Sequence, residues 1–438
     1  MAHRIRPANR LLLKARLVFP VAGEPIRDGV VTIEGTRIVA VGRCGATVSH
    51  EARDLGNVAI LPGLVNAHVH LDFSDLPAPL GEPKSGLVPW IPRVMDYRRH
   101  SSGAGPRSVA LGLAESVRGG VTTLGDIAQA DWPIGAAAGI PVNLTIFQEL
   151  IAPTAWRVAA AMELAKSSLR HIAPHQQTPP HCNGGGVSEQ EEPAVIRRPG
   201  LSPHAPYTVH PELLSAVVAL SAAERVPVAM HLAESPEELE LLSSGTGLLR
   251  TLLEDLGAWD GGLFRPGTRP LEYLRLLATA HRALVIHGNY LDDEEIGWLA
   301  AHAERMAVVY CPRSHEWFGH RPYPLEKLLA AGAVVALGTD GRGSSPDLSL
   351  WAEMLAAARR HPAIPLSRIL EMGTLRGARA LGYDDIGSLV PGKQADLTIV
   401  PLPDHDAAGP YELLFESKGP AGSFYRGMEC RVRETHQR

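Results

Sequence analysis

The sequence predicts an α/β protein: a closed barrel of eight parallel strands, with a smaller β unit assembled from both chain ends. Three observations predict it. Eight apolar, β-branched runs end in polar residues and alternate with helical patterns, which is the grammar of repeated βα units around a parallel sheet. Short strands with turn punctuation open the chain, and that style returns at its end. No glycine-rich phosphate turn follows the first barrel run, which counts against an open doubly wound sheet.

Leu11–Phe19 is β-rich, Ala22–Pro25 turns, and Val30–Glu34 and Arg37–Val41 flank Gly35-Thr36 as a hairpin. The eight barrel runs follow: Gly63–His70, Gly120–Asp126, Pro141–Glu149, Gly200–Pro206, Val226–Glu234, Ala283–His287, Ala307–Cys311 and Val334–Asp340. A closed barrel gathers its active site at the C-terminal ends of such strands. Two helix starts are marked: Ser235-Pro236-Glu237-Glu238 reads as a capping box, and Asp292-Asp293-Glu294-Glu295 as another. Residues 167–198 lack periodicity and are rich in Pro, Gly, His, Gln and Glu, so they read as a flexible surface insertion. Its His171, His175, His181 and Cys182 match no closed tetrahedral set, and a solvated loop explains them. Strands return at Ala395–Pro401 and Ser423–Val432. The expected division is 1–61 with 385–438 for the small unit, and 62–384 for the barrel.

Composition excludes several classes. The chain has 438 residues, 45% hydrophobic and 20% charged, which suits a soluble enzyme of one large and one smaller domain. A formal net charge of −5 gives no reason to expect nucleic acid. No apolar run is long enough to span a bilayer, and Lys14 and Arg16 interrupt the N-terminal apolar patch, so no secretory signal is expected. The cysteines Cys44, Cys182, Cys311 and Cys430 show no CxxC spacing; reduced thiols in a cytoplasmic protein are expected.

The chemistry is carried by strand ends. His68 and His70 are two residues apart on a strand, so both imidazoles project to one face. An isolated HxH is often incidental. Here His231 ends the fifth run and Asp340 the eighth, both at the predicted catalytic face. Three neutral imidazoles and a carboxylate with one open position suit a catalytic zinc or ferrous ion. Glu234, three residues past His231, and His287, ending the sixth run, are placed for proton transfer beside it. His204 ends the fourth run and is expected to contact substrate. Cys311 reads as a small buried hydrophobe, since no base is assigned to it. Trp317, Phe318 and His320 suit either a flat ring or a packed loop.

At these residues the chain resembles the amidohydrolase superfamily, in its cytosine-deaminase-like and chlorohydrolase-like branch. The matching pieces are Pro62–His70, Gly120–Thr123, Ser202–Thr208, His231–Glu234, His287-Gly288, Cys311–Ser314, Gly338–Asp340 and the tail Ile386–Leu397. The resemblance covers nearly the whole chain outside the insertion. It implies a distorted TIM (β/α)8 barrel beside a β-sandwich built from both termini. It also implies one divalent metal, zinc ahead of ferrous iron, held by His68, His70, His231 and Asp340. After Lys166 the next lysine is Lys327, which sets the chain apart from the two-metal branch with its strand-four lysine. His68–Ser74 followed by Trp90 and Arg98 is similar to aminodeoxyfutalosine deaminases. Methylthioadenosine/S-adenosylhomocysteine deaminases are also similar. Val88 or Pro89 stands where those carry a ribose-gripping glutamate, and Gly341 stands where a serine follows the last aspartate.

The implied activity is hydrolytic deamination of an amino-substituted nitrogen heterocycle, an aminopurine nucleoside or a free base. Glu234, His287 and Asp340 would be catalytic, with His204, Trp90, Arg313 and His320 at the substrate. One rival is removal of chloride or an alkylamine from a triazine-like ring by the same site. Another is a non-catalytic protein keeping the fold, which would have lost site residues; all six are present. Cytidine-type zinc deaminases do not match, since their HxE and PCxxC pair is missing. A small-molecule substrate and a homodimer are the expected partners, with neither nucleic acid nor membrane.

Overall fold

A computed structural model describes residues 10–43, 45, 51–100, 105–172, 196–261, 265 and 267–430. Eight strands form one parallel sheet in strict chain order: Leu64–Val69, Val121–Ala128, Asn143–Leu150, Arg197–Pro203, Pro227–Leu232, Arg282–His287, Met306–Tyr310 and Val335–Leu337. A parallel bridge between Val69 and Asp340 joins the first strand to the segment leaving the eighth, closing the ring. His70 N donates to Asp340 O at 2.9 Å and Thr339 N to His68 O at 3.0 Å. The seam of the barrel therefore runs between two predicted ligands.

Each barrel strand is buried on both faces, as helices cover a parallel sheet from outside. Val65, Ala67, Phe147, Ala229, Leu284, Ile286, Val309 and Ala336 fill the interior as a packed core. The eighth strand is shorter than the run Val334–Asp340 suggests, because Gly338 to Asp340 turn away from the ladder to meet the first strand.

The second sheet is mixed and takes strands from both ends of the chain. Arg10–Val18 pairs antiparallel with Ile26–Glu34, which makes the expected hairpin with Arg37–Arg43. Val58–Pro62 lies parallel to Arg10–Val18 and antiparallel to Leu397–Pro401, which continues to Gly422–Tyr425 and Met428–Glu429. The tail thus supplies three short strands.

Residues 167–198 only partly follow expectation. Ser167 to Ile172 close the helix Ala155–Ile172, whose inner face packs Ala161, Ala165 and Ser168, and Arg197-Arg198 already belong to the fourth barrel strand. His175, His181 and Cys182 lie outside the described residues, as does Cys44. Cys311 and Cys430 are free thiols. No helix among the described residues is long and apolar enough to cross a membrane.

Candidate active site

The first strand delivers His68 and His70 to the barrel mouth, both buried. His68 Nε2 lies 3.5 Å from Asp340 Oδ1, and His70 Nε2 lies 3.8 Å from the same oxygen. His231, at the end of the fifth strand, brings its Nε2 to 3.4 Å from His70 Nε2. Ligand atoms of His68, His70 and His231 lie within 4.8 Å of one another, and so do those of His68, His287 and Asp340. The structure therefore draws the four expected ligands together, with His287 at their edge.

The surroundings fix which atoms face inward. His231 Nδ1 sits 3.0 Å from the carbonyl of His204, so it carries the ring proton and Nε2 is left as a lone pair. Both ring nitrogens of His68 and Nδ1 of His70 are buried without hydrogen-bond partners. Ser344 Oγ donates to Asp340 Oδ2 at 2.8 Å and is itself tied to Ser314 at 2.6 Å. Burial holds His70 at about 3, aided by His68, and drives His231 well below its ordinary value. Burial would push Asp340 up, but its histidine neighbours hold it well below the usual carboxylate range. Imidazole nitrogens orphaned in the interior and a carboxylate, converging on one point, fit a divalent cation. His68, His70, His231 and Asp340 would hold it.

Glu234 and His287 sit beside this cluster. Glu234 Oε1 is 3.4 Å from His287 Nε2, and both side chains are buried. Burial, then Asp340 and Glu238, pushes the Glu234 carboxyl well above its ordinary value, which favours its protonated form. Tyr323 donates from its hydroxyl to the His287 carbonyl at 3.0 Å, fixing that strand end.

Aromatic groups form one wall of the mouth. Trp90 donates from Nε1 to Gly343 O at 2.9 Å, and its ring meets Phe318 edge-on at 5.3 Å and Phe73 at 6.5 Å. His320 packs on Phe318 and pairs with the Tyr290 hydroxyl at 3.2 Å. Arg313, expected at the substrate, is committed elsewhere. Its Nε donates to Glu353 Oε1 at 2.6 Å and its Nη2 reaches Asp347 at 2.8 Å, so it braces the helix Leu350–Arg360. A guanidinium on a fully buried carboxylate is held there by the desolvation cost of parting them. Cys311 is buried, and burial raises its thiol far above the ordinary value, consistent with a packing role.

The roles of three residues escaped the sequence reading. Glu149 ends the third strand, as His68 and His231 end theirs, and that position was its only signal. Arg98 joins it to Asp72, at 3.5 Å and 3.0 Å respectively. Burial pushes Glu149 up, but Arg98 and then His204 and His70 more than offset this, leaving it near about 2. Glu238, read as half of a capping box, instead accepts from the backbone N–H groups of Ala233 and Glu234 at 2.8 and 2.9 Å.

Comparison with known proteins gives a consistent picture. The sequence profile of the Amidohydrolase family matches residues 59–421. A 5-methylthioadenosine/S-adenosylhomocysteine deaminase from Moorella thermoacetica is 30% identical over 420 residues, covering 90% of this chain and 86% of that protein. One from Nitratidesulfovibrio vulgaris is 29% identical over 426 residues, covering 91% and 85%. Among solved structures, an adenosine deaminase from Xanthomonas campestris with bound zinc is 26% identical, with a TM-score of 0.74 over 96% of this chain and 93% of that one. Helicobacter pylori aminofutalosine deaminase, in complex with methylthio-coformycin, shares the fold at a TM-score of 0.79 and 20% identity, covering 96% and 100%.

Proposed function

Because the chain belongs to the amidohydrolase family, a family of metal-dependent hydrolases, we propose that it is a zinc-dependent deaminase of an aminopurine nucleoside or related heterocycle. The observation that carries this reading is the pairing of a buried Glu234, whose carboxyl burial pushes well above its ordinary value, with a cluster of three imidazoles and Asp340. Deamination needs both an acid for the ring nitrogen and an activated water, and Glu234 stands beside the residues that would hold the activating ion. The deaminase names of the relatives, and the zinc in the Xanthomonas structure, support it. The likeness to a triazine hydrolase, at 22% identity, speaks to the fold alone. The free thiols of Cys311 and Cys430 support a cytoplasmic setting as part of the same reading.

When bound, the ion would supply the Lewis acidity that lowers the pKa of water toward neutrality. The protein groups do the rest. His287 holds the attacking water in line with the amino-bearing carbon, and Asp340 takes a proton from it. Glu234 gives its proton from the carboxyl to the ring nitrogen beside that carbon, which makes the carbon electrophilic. Oxygen adds to give a tetrahedral carbon. The proton held by Asp340 then passes to the amino group, the added hydroxyl returns a proton to Glu234 as its C=O forms, the carbon–nitrogen bond breaks, and ammonia leaves.

The test is ammonia release by zinc-loaded protein from aminopurine nucleosides, aminodeoxyfutalosine, cytosine, guanine and triazines. Release from a nucleoside is expected. Glu234→Gln should lower kcat by about 10²–10⁴-fold while metal content stays at the wild-type level. Activity retained by that variant would remove Glu234 from the mechanism, and silence across the panel would remove deamination.

A further inference from the structure

Glu149 has an unanswered oxygen at the mouth of the barrel. Its side chain is 3% exposed, and Oε2 is engaged by Arg98 Nη1 at 3.5 Å and by Gln129. Oε1 is buried with no hydrogen-bond partner. Opposite it, at 4.0 Å, lies His204 Nε2. His204 Nδ1 faces Thr208 Oγ1 at 2.7 Å, and the Thr208 hydroxyl donates to Ala205 O at 3.2 Å. That hydroxyl has one hydrogen, so toward His204 it accepts; Nδ1 carries the ring proton and Nε2 is left as a lone pair. Two acceptors thus look at one another across a gap too long for a hydrogen bond and with no hydrogen between them.

Such a pair calls for donors from outside the protein. With acceptors 4.0 Å apart, one ligand with two neighbouring O–H or N–H groups can serve both, each at the usual donor–acceptor distance of about 2.8 Å, and a ligand with a single such group can serve Oε1 alone. The pair also stands next to the reaction centre. The His204 and His231 rings are 5.1 Å apart, and the His204 carbonyl orients His231. Arg98, tied to Asp72 at 3.0 Å as well, holds the Glu149 carboxylate in place without using Oε1.

We propose that Glu149 Oε1, with His204 Nε2 beside it, is the subsite that selects the substrate by accepting hydrogen bonds from its donor groups, the hydroxyls of a sugar on the heterocycle or an N–H of the base. This rests on the deaminase reading and adds the substrate feature that is recognised. Glu149 is a specificity residue here and takes no part in proton transfer.

The experiment compares the wild type and Glu149→Gln, both zinc-loaded, on adenosine, 2′-deoxyadenosine and 3′-deoxyadenosine, and on adenine against 9-methyladenine. Ammonia release gives kcat and KM, and calorimetry gives binding of the same compounds. The wild type should favour the compound with the donor by tenfold or more in one of the two sets. Glu149→Gln should erase that preference through KM, with kcat for the deoxy or methylated compound unchanged. A preference for adenosine identifies a sugar hydroxyl, and one for adenine identifies a base N–H. Absence of preference in both sets, or an equal loss on every compound in the variant, would overturn the subsite. If no ammonia appears but binding shows the preference and its loss, the subsite stands and deamination falls. If binding shows neither, the subsite falls as well.

Discussion

Three non-glycine residues at the barrel mouth have left-handed backbone: Ala233 at φ 52°, His287 at 68° and Asp340 at 57°. Each such residue costs about 1–3 kcal/mol and persists only where its surroundings over-determine it. Here the surroundings are identifiable: Glu238 on the Ala233 amide, Tyr323 on the His287 carbonyl and Ser344 on the Asp340 carboxylate. The same crowding is felt at Gly338. A Cβ there would lie 2.9 Å from both the Cβ and the carbonyl oxygen of His68, and 3.0 Å from Val309. Backbone on one side and a packed core on the other leave His68 as the group that moves. Gly338→Ala should therefore weaken metal retention by about 10–100-fold, the range seen when a ligand's support is disturbed. Competition with a chelator measures it; wild-type retention would show that this packing does not set His68. Gly341 is under similar pressure, with a Cβ placed 3.1 Å from the His70 Cβ and from Phe73, so the serine of related chains would need those neighbours to yield.

At the scale of elements, the helix Pro236–Ser244 shows where a sequence motif was legible and where it misled. Ser235 does cap it, accepting from Glu238 N at 3.2 Å. The reciprocal bond expected of Glu238 is absent, because Ala233 and Glu234 present two successive N–H groups that a carboxylate fits with both oxygens. The motif at Asp292 lacks that competitor and closes as a full capping box with Glu295. The difference lies in backbone geometry upstream of the cap, which residue types do not encode. It also gives Glu238 a role, since the helix uses it to hold the turn that presents Glu234. Glu238→Gln keeps one acceptor and sets an N–H₂ group against a backbone donor. Stability should fall by about 1–3 kcal/mol, the usual result of leaving a buried donor unanswered, and kcat should fall with it. Denaturant melts and steady-state rates check both, and an unchanged kcat would mean that Glu234 is positioned without this helix.

Across the whole molecule, the parallel barrel and the cluster at its mouth were legible because strand-end position and periodicity are local properties: His68, His70, His231 and Asp340 each close an apolar run. Arg313 and Glu149 were not, since their partners Glu353 and Arg98 lie 40 and 51 residues away and burial decides the pairing. Long-range burial also governs the junction between the two sheets. Asp396, just before the tail strand, accepts from Arg426 N at 2.8 Å and from Asn143 Nδ2 at 3.1 Å, at the start of the third barrel strand. Its carbonyl accepts from Gly63 N at 2.8 Å, just before the first. Burial raises its carboxyl from 3.8 to about 6. A raised carboxyl binds its proton more tightly folded than unfolded, so its contribution is fully present below the unfolded value and lost as pH rises through the folded one. Between pH 8 and pH 5 this group should add about 1 kcal/mol to the wild type, since one unit of pKa is worth about 1.4 kcal/mol. Asp396→Asn, which cannot titrate, should lack that gain, so the stability gap between wild type and variant should shift by about 1 kcal/mol in favour of the wild type at pH 5. Denaturant unfolding at the two pH values measures the gap. A gap independent of pH would mean that Asp396 is ionised in the folded chain, and that the junction holds a charge balanced by its backbone and amide donors.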